Sequence, residues 1–185
     1  SWSYDKVLPY FKKIENWSGG ENQYRGSLGE LPVNQSKNNN PLFKAFLGAS
    51  SEAGHKINPD MNGEYQEGFG MFDTTIHNGE RASASKYYLN PAKKRKNLNI
   101  FSNSFVEKII FEGKKAIGIE VKIKNKVKKI YAEKELILSC GSINSPQLLM
   151  LSGVGDANHL KEKGINVVHD LKGVGKNLQD HLETY

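Results

Sequence analysis

The stretch Glu135-Leu-Ile-Leu-Ser-Cys140, followed by Gly141-Ser-Ile-Asn-Ser-Pro-Gln-Leu-Leu-Met-Leu-Ser-Gly-Val-Gly155, decides the reading of this chain. It reads as a short strand, a tight glycine turn, a helix and a glycine stop. Leu136, Ile137 and Leu138 are continuously apolar, as in a strand buried on both faces. Gly141 suits a turn that a Cβ would obstruct. Ser145 is placed to cap the helix, and Pro146 to take its first position, where a missing N–H costs nothing. Leu148, Leu149 and Leu151 give a one-sided apolar helix too short to stand alone, so it must dock. Gly153 and Gly155 end it. A strand that turns on glycine into a helix is how α/β sheets hold a nucleotide, because the helix start offers free N–H groups and partial positive charge. An ordinary strand–helix unit of any α/β domain is the plainer alternative on the local pattern alone.

Outward from this run, the second half of the chain is regular. Leu98–Ser102 and Phe105–Phe111 have strand-like apolar content, and Glu112-Gly113-Lys114 is a turn. Ala116–Ile123 and Val127–Ala132 pair as a hairpin around Lys124-Asn125-Lys126. Asp156 caps a short helix ending at Gly164, and Ile165–Val168 is a further strand. A strand, a small antiparallel excursion and a returning strand suit an FAD-binding Rossmann-like sheet, with ligands at its carboxyl end. The first half, up to about residue 97, is less regular. Helices are expected over Tyr4–Ile14, from Pro41, and over Ser83–Leu89, the last stopped by Asn90-Pro91. Residues 16–40 and 54–80 read as loop.

Composition bounds the class. The chain has 185 residues, 37% hydrophobic, one ordinary domain or pieces of two. Mean hydropathy is −0.59, and no apolar stretch is long enough to span a membrane. The start, Ser1-Trp-Ser-Tyr4, carries no signal peptide and reads as the interior of a longer protein. A single cysteine, Cys140, rules out a disulfide framework and a cysteine-rich zinc site. The net charge of +6 is concentrated in Lys93-Lys-Arg-Lys96 and in Lys122, Lys124, Lys126, Lys128 and Lys129. With no arginine-rich cluster among aromatics, these are read as a solvated loop and as one outward face of the hairpin, not a nucleic-acid surface.

Several segments, in order, resemble the glucose–methanol–choline (GMC) flavin oxidoreductases. They are Trp2-Ser-Tyr-Asp-Lys-Val-Leu-Pro-Tyr-Phe11; Gly79-Glu-Arg-Ala-Ser83 with Tyr88-Leu89; and Asn97-Leu-Asn-Ile100 with Val106, Ile109 and Phe111. Gly141–Gly155 fills the family's second signature, and Gly173-Val-Gly-Lys-Asn-Leu-Gln-Asp-His181 its G-V-G-x-N-L-Q-D-H segment. The resemblance implies a mixed α/β chain: an incomplete FAD-binding Rossmann-like domain plus part of the GMC substrate domain. Residues 1–89 fall mainly to the substrate domain and its connections, 90–155 to the FAD domain with its hairpin, and 156–185 to the exit towards the substrate domain.

The activity implied is oxidation of the CH–OH group of a small-molecule alcohol, with hydride passing to FAD and a histidine as base. Neither the alcohol, the electron acceptor nor the compartment is readable from these residues. Carried over by position, Val106 touches the adenine end of FAD through its backbone. Cys140, Gly141 and Ser142 lie against the cofactor, and Asn177, Asp180 and His181 pack near the flavin side.

Plainer roles stand beside these. Val106 also suits a core valine, and Cys140 a small apolar thiol in a buried turn. Asp180-His181, being adjacent, suits a structural or cofactor contact better than an acid–base pair. Arg81 suits an internal salt bridge. The dinucleotide fingerprint G-x-G-x-x-G is absent, and Gly173-Val-Gly175 is no substitute for it. The family's catalytic histidine is expected in a C-terminal segment outside this chain, so no catalytic residue is assigned and the chain alone is expected to be inactive, unstable and a weak FAD binder. The alternative is a truncated or degenerate GMC-derived protein without activity of its own.

Overall fold

Eleven residues that mix aromatic, aliphatic and charged side chains form a helix near the start of the chain, α1 (Tyr4–Ile14), with Asp5 in its first turn and Lys12 and Lys13 in its last. That charge order complements the helix dipole. The computed structural model describes residues 2–182, which fall into two compact units divided between Asn99 and Ile100.

In the first unit, α1 runs directly into strand β1 (Glu15–Trp17), which pairs in parallel with β2 (Leu31–Gln35). β2 pairs antiparallel with β3 (Asp73–Thr74). Residues 16–40, expected as loop, therefore contain two strands. What organises them is Arg25, only 2% exposed. Its guanidinium meets Glu15 at 2.7 Å, Asp60 at 2.5 Å and Asp73 at 2.8 Å, and lies 4.2 Å from the Trp17 ring centroid. Burial works to lower the Arg25 pKa, but hydrogen bonds to Glu15 and Asp73 and the charges of Glu15 and Asp60 outweigh it and raise the value. The next residue, Gly26, passes so close to α1 that a Cβ would sit 1.9 Å from the Lys12 carbonyl.

Helix α2 (Pro41–Glu52) begins at Pro41 as expected, and Asn40, not singled out in the sequence, caps it by accepting the Leu42 N–H. A two-stranded ribbon, β4 (Ile76–His77) and β5 (Glu80–Arg81), follows β3. Arg81 is exposed on β5, and among the described residues it forms no ion pair, contrary to expectation. The helix expected to stop at Asn90-Pro91 continues through it. A wide π-type turn (Ser85–Leu89) lets the Asn90 N–H reach the Ser85 carbonyl, so Pro91 enters as an early residue of a fresh segment, α3 (Asn90–Ala92).

The second unit is built on an antiparallel meander, β6 (Ser104–Glu112), β7 (Lys115–Ile123) and β8 (Lys126–Tyr131), in that spatial order. Leu98–Ser102, expected as a strand, has no strand partner and is irregular. The two-residue turn Lys124-Asn125 has φ of 49° and 62°, the mirror-type turn whose twist matches a hairpin. Its register corrects the lysine reading. Ile123 pairs with Lys126, Lys122 with Val127 and Val121 with Lys128. Directly opposed residues share a face, so Lys126 and Lys128 lie on the side of Val121 while Lys122 lies on the other. A two-residue turn reverses the parity of the numbering, and lysines that alternate through it are split between faces.

Helix α4 (Gly141–Leu151) packs on β6, with Leu148 buried. It starts four residues before Ser145, the expected cap. Ser145 Oγ instead reaches back to accept the Cys140 N–H at 3.1 Å, and Pro146 lies inside the helix. Gly153, with φ of 92°, ends it, and Val154–Gly155 form a strand, β9. Asp156 caps α5 (Ala157–Glu162) by accepting the Asn158 and His159 N–H groups. These two bonds, His159 first, hold its carboxyl below its usual value. The final strand, β10 (His169–Asp170), pairs in parallel with β9, four residues later than the expected Ile165 start. Leu160, on α5, is fully buried.

Residues 135–139, expected as a short apolar strand, are irregular and unpaired among the described residues. A strand is defined by a neighbour's hydrogen bonds, and no described segment supplies them.

Candidate functional site

The segment Glu135–Leu138 lies over the meander and encloses a cavity of about 290 Å³ with it. Val106 and Ile109 of β6, Ile119 of β7, Ile130 of β8, Leu148 of α4 and Cys140 line the cavity. The structure thus brings Val106 and Cys140, thirty-four positions apart in sequence, to one apolar space. Val106 is half-buried and faces Val121 across the ladder. Just after it, the β6–β7 register shifts between Val106 and Lys108, so β6 bulges beside the cavity.

Gly141 and Ser142 follow Cys140 as the exposed first turn of α4. Cys140 is exposed, not buried as expected, because no described residue covers the turn. At its N-cap position it makes no side-chain cap, and no acidic residue stands in the first turn. The first N–H groups of a helix have no intrahelical partners, so this end presents donors and partial positive charge. Gly141 has φ of 88°, which side-chain-bearing residues rarely adopt, and no atom lies within 4 Å of where its Cβ would be. The glycine is needed for the backbone turn itself; among the described residues a Cβ here meets no obstruction.

Asn177, Asp180 and His181 lie outside the cavity, on an exposed segment. Asn177 has φ of 55°, and the Asp180 carboxylate accepts the His181 backbone N–H at 2.8 Å. The preceding Gly175 passes Met150, a Cβ there lying 3.3 Å from Met150 Cε. The segment therefore runs against the C-terminal half of α4, and the structure does not bring these three residues together with Cys140. Among the described residues there is no cluster fit to hold a metal, and no helix is long and apolar enough to cross a membrane.

Two features escaped the sequence reading. The Arg25 carboxylate cluster depends on partners up to forty-eight positions away. Ser152 reads as an ordinary helix end, yet its hydroxyl binds β6. Neither leaves a periodic signal.

Compared with known proteins, residues 1–183 match the family model described as GMC oxidoreductase. The chain belongs to the GMC oxidoreductase family. Over its whole length it is 52% identical to an oxygen-dependent choline dehydrogenase of Brucella ovis and 51% identical to the human mitochondrial choline dehydrogenase. It spans 33% and 31% of those proteins, about a third of the length of the relatives it matches. A solved FAD-dependent oxidoreductase from Chaetomium thermophilum superposes with a TM-score of 0.89 at 31% identity, over 97% of this chain and 34% of that one.

The family resemblance read from the motifs therefore holds, and the mixed α/β arrangement is that of an incomplete Rossmann-like FAD domain. FAD is the cofactor of this GMC chain. The residues present fit it: an uncapped helix start free of acidic side chains suits an anionic or electron-rich group, and the bare Gly141 turn leaves room for its approach.

Proposed function

We propose that this chain is the FAD-holding portion, with part of the substrate-covering portion, of an oxidoreductase that acts on the CH–OH group of an alcohol. The observation that carries the reading is the convergence of Val106 and Cys140 on one cavity at the open start of α4. Bound FAD supplies the acceptor for a hydride taken from the alcohol carbon.

The chain's own residues bind and orient. The Val106 backbone, at the bulge of β6, meets the adenine end. Cys140, whose own N–H is held by Ser145 Oγ, lies against the cofactor, and the N–H groups of Gly141 and Ser142 in the first turn of α4 are aimed at it; because they are fixed before it arrives they bind without reorganising. Asn177, Asp180 and His181 sit towards the flavin side. Residues 1–89 serve mainly the substrate domain, 90–155 the FAD domain and 156–185 the exit from it. No residue here is assigned the role of base.

Choline is the first alcohol to try, given the names of the relatives. The protein expressed from its full open reading frame is expected to purify yellow, and its flavin to bleach when choline or another primary alcohol is added without oxygen. A folded protein that neither carries nor takes up FAD would sink the cofactor assignment. A flavin that no alcohol reduces would favour a catalytically incompetent member of the family.

A further inference from the structure

Ser152 is 1% exposed, and its hydroxyl is used twice inside the protein. Oγ accepts the backbone N–H of Ile109 at 2.8 Å and donates to the carbonyl of Leu148 at 2.6 Å. The second bond ties the hydroxyl to the last turn of its own helix, α4. The first crosses to β6, forty-three positions earlier. Among the described residues β6 is one of the two edge strands of its sheet, and it is bulged between Val106 and Lys108. An edge strand with a bulge is free to bend or slip unless something outside the ladder holds it. Ser152 supplies that hold, next to the bulge.

The placement matters because the two elements joined at Ser152 diverge from it. Up α4 the chain runs back to the turn at Cys140, Gly141 and Ser142, an arm on the order of 15 Å at about 1.5 Å per residue. Down β6 it runs back to Val106, an arm of roughly 10 Å at about 3.3 Å per residue. Side chains of both arms, Val106, Ile109, Leu148 and Cys140, line one cavity. A cofactor gripped at the ends of both arms is bound well only if their separation is fixed beforehand.

We propose that Ser152 is a positioning residue for FAD: it sets the distance between the Val106 contact and the Cys140–Ser142 turn without touching the cofactor. This rests on the reading that both positions contact FAD.

The test compares a ligand that spans both arms with one that needs a single arm. The full-length protein is stripped of flavin, and binding of FAD and of adenosine monophosphate is measured for wild type, Ser152→Ala, Ser152→Cys and Leu160→Ala. Ser152→Ala is expected to weaken FAD by about tenfold or more while adenosine monophosphate shifts less than about twofold. Ser152→Cys, which keeps the shape with a slightly larger atom and weakens both hydrogen bonds, falls between, and still reports if the alanine variant does not fold. Leu160→Ala lowers the melting temperature without a selective loss of FAD. Equal weakening of both ligands by the Ser152 variants, or unchanged FAD binding beside a lowered melting temperature, would overturn the proposal and leave Ser152 a local stabiliser. Wild-type protein that binds no FAD removes the underlying reading, and this proposal with it.

Discussion

Arg25 Nη2 lies 2.8 Å from Asp73 Oδ2, a bond that closes forty-eight positions of sequence and joins the segment after β1 to β3. The same guanidinium holds Glu15 and Asp60, and it is almost wholly buried. Removing one partner of a buried ionic cluster leaves uncompensated charge, which typically costs about 3–5 kcal/mol. Arg25→Met is therefore expected to destabilise the protein by that order, and Arg25→Lys to recover only part of it, because an ammonium cannot offer the planar fork that serves three carboxylates. Denaturant melts of both variants check this; equal stability of Arg25→Met and wild type would remove the cluster from the list of stabilising features.

Gly141→Ala places a Cβ on a residue with φ of 88°. The strain alone is worth about 1–2 kcal/mol. Since the added methyl meets no neighbouring atom among the described residues, a loss of FAD affinity beyond that strain reports contact with the cofactor. The expected result is FAD binding weakened at least tenfold, read by titrating stripped protein. Affinity unchanged in a folded variant would move the cofactor away from this turn.

Leu160 is the fully buried anchor of α5. Leu160→Ala is expected to cost about 2–5 kcal/mol, through lost burial and the cavity left behind. Urea unfolding of the full-length protein reads it directly.

The α5 cap gives a pH signature of known sign. The Asp156 carboxyl is held below its ordinary value by the His159 and Asn158 N–H groups. Its contribution to stability is therefore complete above the unfolded value, about 3.9, and is lost as the pH falls through the lower folded value. Protection of the amides of residues 157–160, taken relative to their intrinsic exchange rates, is expected to fall over that acid window in wild type. In Asp156→Asn, whose amide oxygen still caps but does not titrate, the same window should be flat; identical profiles would assign the acid sensitivity elsewhere.

The 185-residue polypeptide on its own is expected to self-associate. Trp2, Leu42, Phe72, Ile137 and Leu182 are among the large apolar side chains it leaves exposed, and β6 and β8 are open sheet edges. Light scattering during refolding checks this, and a monomer with a single cooperative melt would contradict it.

How much of this was legible beforehand follows the range of the interactions. α1, the helix start at Pro41, the hairpin and the Asp156 cap were readable because each is specified by residues within one or two turns of itself. The family and its cofactor were readable because the motifs carry them in order. Val106 and Cys140 were named from those motifs, although the sequence alone gave no reason for them to share a cavity. The strands of residues 15–35 were not readable, since their organising cation finds its partners beyond any local window. The lysine faces were misjudged because the parity of a strand is set by a turn, not by spacing. Glu135–Ser139 has the composition of a buried strand, but composition does not supply the neighbour that makes one.

The Arg25 cluster also constrains how this chain can change over generations. Glu15, Arg25, Asp60 and Asp73 balance one another, and each single replacement strands the charges that remain. Drift through that position has to pass a deep stability trough, so these four residues should be inherited together, or replaced together by an apolar set, while the exposed lysines of the hairpin vary freely around them.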